Sequence, residues 1–200
     1  MSPITHILAS WVGFEGFLQT RRDKAIVLIA GVAPDLDGVG IVSDFATRVL
    51  GLPETDYYHR YHHLVCHGLP AAIVVAIAAA IFGQNRPRVA LLAFASFHLH
   101  LLCDLLGSRG NALEDLWGIY YFAPLSDAHP LFWSGQWPLV SWQNTAITAA
   151  LLIITFARAM KSGRTPVSLV SQALDGKIVA TLRARTERIA TFVDAWSRRH

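Results

Sequence analysis

His62-His63-Leu64-Val65-Cys66-His67 and His100-Leu101-Leu102-Cys103-Asp104 set imidazoles and a carboxylate beside apolar stretches of the chain. Those are the donor types that divalent zinc, manganese and iron accept. His6, near the start, and Asp35 and Asp37, just after Pro34, add three more donors. His6, Asp35, Asp37, His62, His67, His100 and Asp104 are therefore the expected ligands of a divalent metal. Zinc is favoured, with manganese or iron as alternatives and one to three ions in all. On a helix, the i, i+4 spacing of His100 and Asp104 turns both to one face. Asp35 or Asp37 would serve as general base, and Asp127 or His129 could reach the site from an irregular stretch. His59, His63, His98 and His129 are expected in supporting roles, His98 facing away because it is two positions from His100. A single histidine in an apolar segment is more often a satisfied core group than a ligand. Several of them at segment ends are harder to explain that way.

Helices must position these side chains, and the composition says where they lie. Of 200 residues 53% are hydrophobic and 16% charged, too apolar for an average soluble domain. Uncharged runs, counting histidine as neutral, cover 61–85, 89–103 and 128–157. A soluble helix usually shows a charged face within two turns. Membrane embedding is expected, although the purely apolar cores Leu69–Phe82 and Ala146–Ala157 fall short of the ~20 residues that cross ~30 Å of hydrocarbon. A compact soluble helical bundle is the alternative. Met1–His6 has no basic leader or cleavage site, so the first residues should be retained. Cys66 and Cys103 read as small buried residues, not as a disulfide.

The expected fold is all-α: two helical hairpins plus additional helices. Ile4–Leu18, a charged turn at Arg21–Lys24 and Ala25–Ala33 make the first hairpin. Asp44–Asp56 reads as a loop with at most a short helix. The second hairpin has arms His62–Phe82 and Val89–Leu106, joined by a turn at Gly83–Arg88. His67 lies 18 residues before Asn85 and His100 lies 15 after it, so the arms bring them to nearly one height. The ligands should gather at one pole and Arg21, Arg22, Lys24, Arg86 and Arg88 at the other. Gly107–Ser134 is irregular by composition, with a last apolar arm at Leu139–Met160. Its aromatics, Trp117 among them, suit an interfacial belt or a loop core.

Two domains are expected: a membrane-embedded, metal-binding helical domain over 1–160 and a basic amphipathic helix over 161–200. In the tail, from Val167 onward, Val170, Leu174, Ile178, Leu182, Ile189, Val193 and Trp196 recur at helical steps, with basic residues between them. Residues 161–200 carry eight Lys/Arg against three Asp/Glu, a net of +5, in a chain that is +3 overall. Such a helix suits an anionic membrane surface or a partner. Nucleic acid is not an expected partner, because no reading motif accompanies the charge. If the apolar segments span, the positive-inside rule puts the basic turns and tail in the cytoplasm and the metal pole outside.

With Thr5-His6, Pro34-Asp35-Leu36-Asp37, His62 to His67, His100 to Asp104 and Pro124-Leu125-Ser126-Asp127 set side by side, the chain resembles the bacterial YdjM-like family of predicted inner-membrane metal-dependent hydrolases. The resemblance covers roughly residues 1–130. The family's His-Arg-Gly-x-Thr-His-Ser motif falls on His62–Gly68, which keeps both end histidines and departs at the Arg, Gly, Thr and Ser positions. That family is distantly similar to the zinc-dependent phospholipase C and P1 nuclease group, whose helical His/Asp sites cleave phosphodiesters. The resemblance implies a multi-pass bacterial inner-membrane hydrolase that uses a metal-activated water on a phosphoester, such as a small molecule or a membrane lipid. The alternative is a non-catalytic membrane metal or haem protein, or an ion or proton transporter.

Overall fold

Ser2 opens the first helix by accepting from the Thr5 N–H at 3.3 Å, and Pro3 fills the first helical position, where no N–H is missed. The computed structural model describes residues 1–62 and 64–198, and of His59 the backbone only. His63 and the His59 side chain, given supporting roles above, lie outside the described residues. Among the described residues, eight α-helices run in order: α1 (Pro3–Phe14), α2 (Arg21–Ala30), α3 (Gly40–Val49), α4 (Tyr57–Tyr61), α5 (Leu69–Phe82), α6 (Arg86–Gly107), α7 (Trp142–Ser162) and α8 (Gln172–Ser197). The described residues form no strand, and isolated bridges join Arg109 to Pro138 and Ile119 to Leu131. The chain is all-α, as its periodicity predicts.

The chain divides into two compact units, Met1–Thr148 and Ala149–His200. In the first, α6 is the central post, with α5, α2 and α1 packed against it. Leu18, Val27, Ala30, Ala79, Val89 and Ala93 form one buried cluster. Ala33, Ala72, Phe97, Leu101 and Ile119 form a second, nearer the C-terminal end of α6. Small residues at these contacts let apolar helices approach closely. Asp23 ties the two hairpin turns together: its N–H donates to Thr20, the cap of α2, and its carboxylate accepts from the Gln84 N–H at 2.8 Å.

Several boundaries differ from the sequence reading. Arg21–Lys24 is the first turn of α2, because Thr20 caps it there. Residues 40–49, read in part as loop, are helical; Asp44 on α3 accepts from the Tyr57 and Tyr58 N–H groups, 2.8 Å each, and so starts α4. His62 and residues 64–68 are not helical. α5 begins only at Leu69, with Pro70 in its first turn, and Gly68 passes so close to the Tyr121 carbonyl that a Cβ there would sit 2.8 Å from it.

α6 and α7 are each long and apolar enough to cross a membrane. Arg21–Ala30 and Pro34–Val49 pass together as a third candidate span, bent by 62° at the break between them. In the second unit, a 3-10 turn at Pro166–Leu169 precedes α8, which Ser171 caps by accepting from the Leu174 N–H. The tail is helical from Gln172, later than Val167, because the Asp175 carboxylate accepts from the Thr165 N–H and hydroxyl and holds the intervening turn. Leu174, Ile189, Val193 and Trp196 on α8 are exposed, as is Val170 just before it.

Candidate metal centre

α6 carries the centre of the site. His100 and Asp104, one turn apart, face the same way, and both are buried. His6 comes from α1, where its ring stacks on His100 with centroids 3.7 Å apart. Asp35 comes from the 3-10 turn Pro34–Val39 that follows α2. His67 comes from the irregular approach to α5 and is fully buried. The five donors thus come from four pieces of chain.

One ligand atom from each of His6, Asp35, His100 and Asp104 lies within 4.8 Å of the others, a grouping able to hold a metal ion. His100 Nε2 is 3.0 Å from Asp104 Oδ2 and 3.5 Å from Asp35 Oδ1, and His6 Nε2 is 3.2 Å from Asp104 Oδ1. His67 Nε2 approaches the same Asp104 carboxylate at 3.7 Å. Four ligands arranged tetrahedrally at zinc's bond lengths stand roughly 3.4 Å from one another, close to the 3.0–3.7 Å approaches of these donors. Both nitrogens of His6, His100 Nε2 and Asp35 Oδ2 are buried without a hydrogen-bond partner. Buried polar atoms are normally satisfied, so converging exceptions mark a place that water, an ion or a ligand can fill. The Met1 backbone nitrogen contacts Asp104 and Ser108.

A second grouping, Asp37, His62 and His67, adjoins the first. His62 Nδ1 donates to Asp37 Oδ1 at 2.8 Å, and His67 Nδ1 and the Cys66 N–H donate to Oδ2 at 3.0 Å each. Asp37 thereby fixes two rings at once, turning the far nitrogen of His67 toward Asp104. The Gly31 carbonyl does the same for His100, accepting from its Nδ1 at 2.9 Å. Carboxylates and carbonyls behind metal-binding histidines set tautomer and ring orientation.

Burial holds the His6 imidazole below its ordinary value, only partly offset by Asp104, so it is neutral. Burial also lowers His67, but Asp104 and Asp37 on its two sides outweigh that and hold it up to about 9. Burial, then Asp37, pushes the Cys66 thiol up, which disfavours the thiolate a soft ligand needs. Cys66 and Cys103 are free and half-buried.

His98 turns away from the cluster: its Nδ1 donates to the Phe94 carbonyl, and the Tyr121 hydroxyl donates to its Nε2. Asp127 and His129 are exposed and belong to neither grouping. The sequence reading missed Tyr58, stacked on His62, and named Trp117 only for a belt or loop core, whereas it stands edge-on to the same ring. Tyr58 lies four residues before His62, a spacing that could have indicated it. Nothing local marks Trp117, which Gln136 positions by accepting from its N–H and donating to the Asp104 and Leu105 carbonyls at the end of α6.

Gly31 gives a test of this packing. A Cβ there would collide with Ser10 Oγ and lie 2.6 Å from Ser96 Oγ, two buried hydroxyls that bond each other. Gly31→Ala should lower stability by about 1–3 kcal/mol, read as a fall in Tm of the detergent-purified protein. Adding Ser10→Ala should restore part of it.

Fold and cluster define a class: an all-α membrane protein whose helices bring buried histidines and aspartates into a grouping able to hold a metal. The chain belongs to the YdjM inner membrane protein family, whose model matches residues 1–184. The match runs past residue 130, where the motif resemblance ends, and into α8. No curated protein and no solved structure matches the chain.

Proposed function

We propose that the chain is a multi-pass inner-membrane hydrolase that uses a divalent metal, zinc foremost, to cleave a phosphoester. The observation that carries this reading is the convergence of buried His6, His100 and Asp35 atoms without hydrogen-bond partners on Asp104. His6, Asp35, His67, His100 and Asp104 would hold the ion. A bound ion of this kind lowers the pKa of a water from 15.7 toward about 7 and polarises a phosphoryl oxygen. Asp35, with 27% of its side chain exposed against 2% for Asp37, is the carboxylate able to take a proton from an attacking water. Asp37, with its oxygens engaged by His62, His67 and Cys66, is a positioning residue. By the positive-inside rule Arg86 and Arg88 at the start of α6, and the basic α8, lie in the cytoplasm, which puts the site toward the periplasm.

The test is hydrolysis of bis(p-nitrophenyl) phosphate by purified protein supplied with zinc or manganese. Activity should vanish with a chelator, and Asp35→Asn should lower kcat by roughly 10²–10⁴-fold even at metal concentrations that saturate the variant. Absence of metal-dependent cleavage of any phosphoester in a screen would remove the hydrolase reading.

Proton competition adds a second expectation. With its pKa raised from 6.5 to about 9, His67 is protonated at neutral pH in the metal-free protein. The stability of that imidazolium between two carboxylates is present below about 6.5 and lost as pH rises through about 9. Metal uptake must displace the proton, so apparent affinity should climb about tenfold per pH unit and level off near 9. A titration against a chromogenic chelator from pH 6 to 9.5 reads it, and a flat profile would contradict it.

A further inference from the structure

The helix that follows the Asp35–Asp37 turn shows two opposite faces. Gly40, Asp44 and Thr47 line the inner face of α3: Asp44 caps α4 through the Tyr57 and Tyr58 N–H groups, and Thr47 Oγ1 reaches Thr55 Oγ1 at 3.3 Å. A Cβ on Gly40 would meet the Tyr57 backbone at 2.8 Å, so α3 lies tightly on α4. That face leads straight to the site, since α4 carries Tyr58, stacked on His62. Val42, Phe45 and Val49, at i, i+3 and i+7, form the outer face and are 65%, 67% and 65% exposed. Leu36 and Val39 extend the same exposed apolar strip back to the aspartates.

Depth decides what covers it. Asp104 lies 18 residues after Arg86 on α6, which at 1.5 Å per residue is roughly 27 Å along the helix. The hydrocarbon core is about 30 Å thick. With the exposed Arg86 and Arg88 at one interface, Asp104 and its partners lie at the inner edge of the opposite headgroup layer. α3 leaves the site there, after a 62° bend in a helix pair apolar enough to count as a span. α5 (Val74, Ile77, Ile81) and α6 (Leu91, Leu102) expose apolar side chains of the same kind, which lipid covers along a span.

We propose that α3 is a bilayer-seated lip of the metal centre, its Val42–Phe45–Val49 strip among the acyl chains of the leaflet facing the site, so that the phosphoester presented to the site is a membrane phospholipid's. The substrate half of this rests on the hydrolase reading above; the placement of α3 does not. A lipid phosphate in that headgroup layer lies just beyond the Asp104 end of the site, and α3 lines its chains.

The experiment uses full-length protein in vesicles of phosphatidylethanolamine and phosphatidylglycerol, with Cys66 and Cys103 replaced by alanine and a nitroxide on Phe45→Cys, Val74→Cys or Glu54→Cys. The Phe45 label should match the Val74 label on α5, exposed to oxygen and shielded from a water-soluble nickel chelate. Behaviour like the Glu54 loop label would overturn the placement. Shielding from both relaxers would also overturn it, in favour of a second copy of the chain. In parallel, Val42→Asp with Phe45→Asp should slow phospholipid hydrolysis at least tenfold while bis(p-nitrophenyl) phosphate turnover stays unchanged. Equal losses on both substrates would overturn the lipid assignment. If the unmutated protein cleaves neither substrate, the hydrolase reading and the lipid assignment resting on it both fail, and the labels still decide where α3 lies.

Discussion

Replacing Asp104 with alanine should abolish retention of a divalent metal, the largest single effect expected in this protein. His6, His67 and His100 all approach its carboxylate, at 3.2, 3.7 and 3.0 Å, so Asp104 lies at the centre of the proposed shell. Its removal takes away the one negative charge that three imidazoles share and leaves a ligand position to water. Removing one partner of a buried charged network typically costs about 3–5 kcal/mol, so stability is not the readout. Asp104→Asn supplies the control: it keeps the volume and an oxygen, and metal affinity measured by chelator competition should still collapse. Tight binding in both variants would displace Asp104 from the centre.

Asp37→Asn should weaken metal binding by roughly 10–100-fold, the usual effect of disturbing a residue that orients metal ligands. The carboxylate accepts from His62 and His67 and from the Cys66 N–H, whereas the amide offers one oxygen and turns an N–H₂ toward the rest. His67 would then lose the orientation that points its far nitrogen at Asp104. The discriminating readout is the ratio of the two losses: Asp37→Asn weakens a site that still binds, and Asp104→Asn removes it. A loss at Asp37 as complete as that at Asp104 would make Asp37 a direct ligand.

The legible part of this molecule follows from local chemistry. Helical spacing in the sequence pairs His100 with Asp104, and turn residues at Gly83–Arg88 set the α5/α6 hairpin that carries His67 and His100 to one height. The prediction extends α5 back to His62 because the segment is apolar, yet Pro70 in the first turn of α5 is the signal that marks its start. The sequence offers Asp37 as a general base or a ligand, and its three hydrogen bonds arise from chain 25 to 30 residues away, which no periodicity encodes. Trp117 reaches His62 through the same kind of long-range link, made by Gln136. The role of α3 is half legible: Val42, Phe45 and Val49 recur at helical steps, but Asp44 and Thr47 turn inward only because α4 is there to receive them.

The most direct measurement is the metal content of detergent-purified protein by inductively coupled plasma mass spectrometry, with a His67→Ala, Asp104→Ala double variant prepared alongside. A metal centre at this cluster predicts at least one equivalent of zinc, manganese or iron per chain in the unmutated protein and none in the variant. Metal-free protein under conditions that do not strip ions, or equal metal in both, would contradict it.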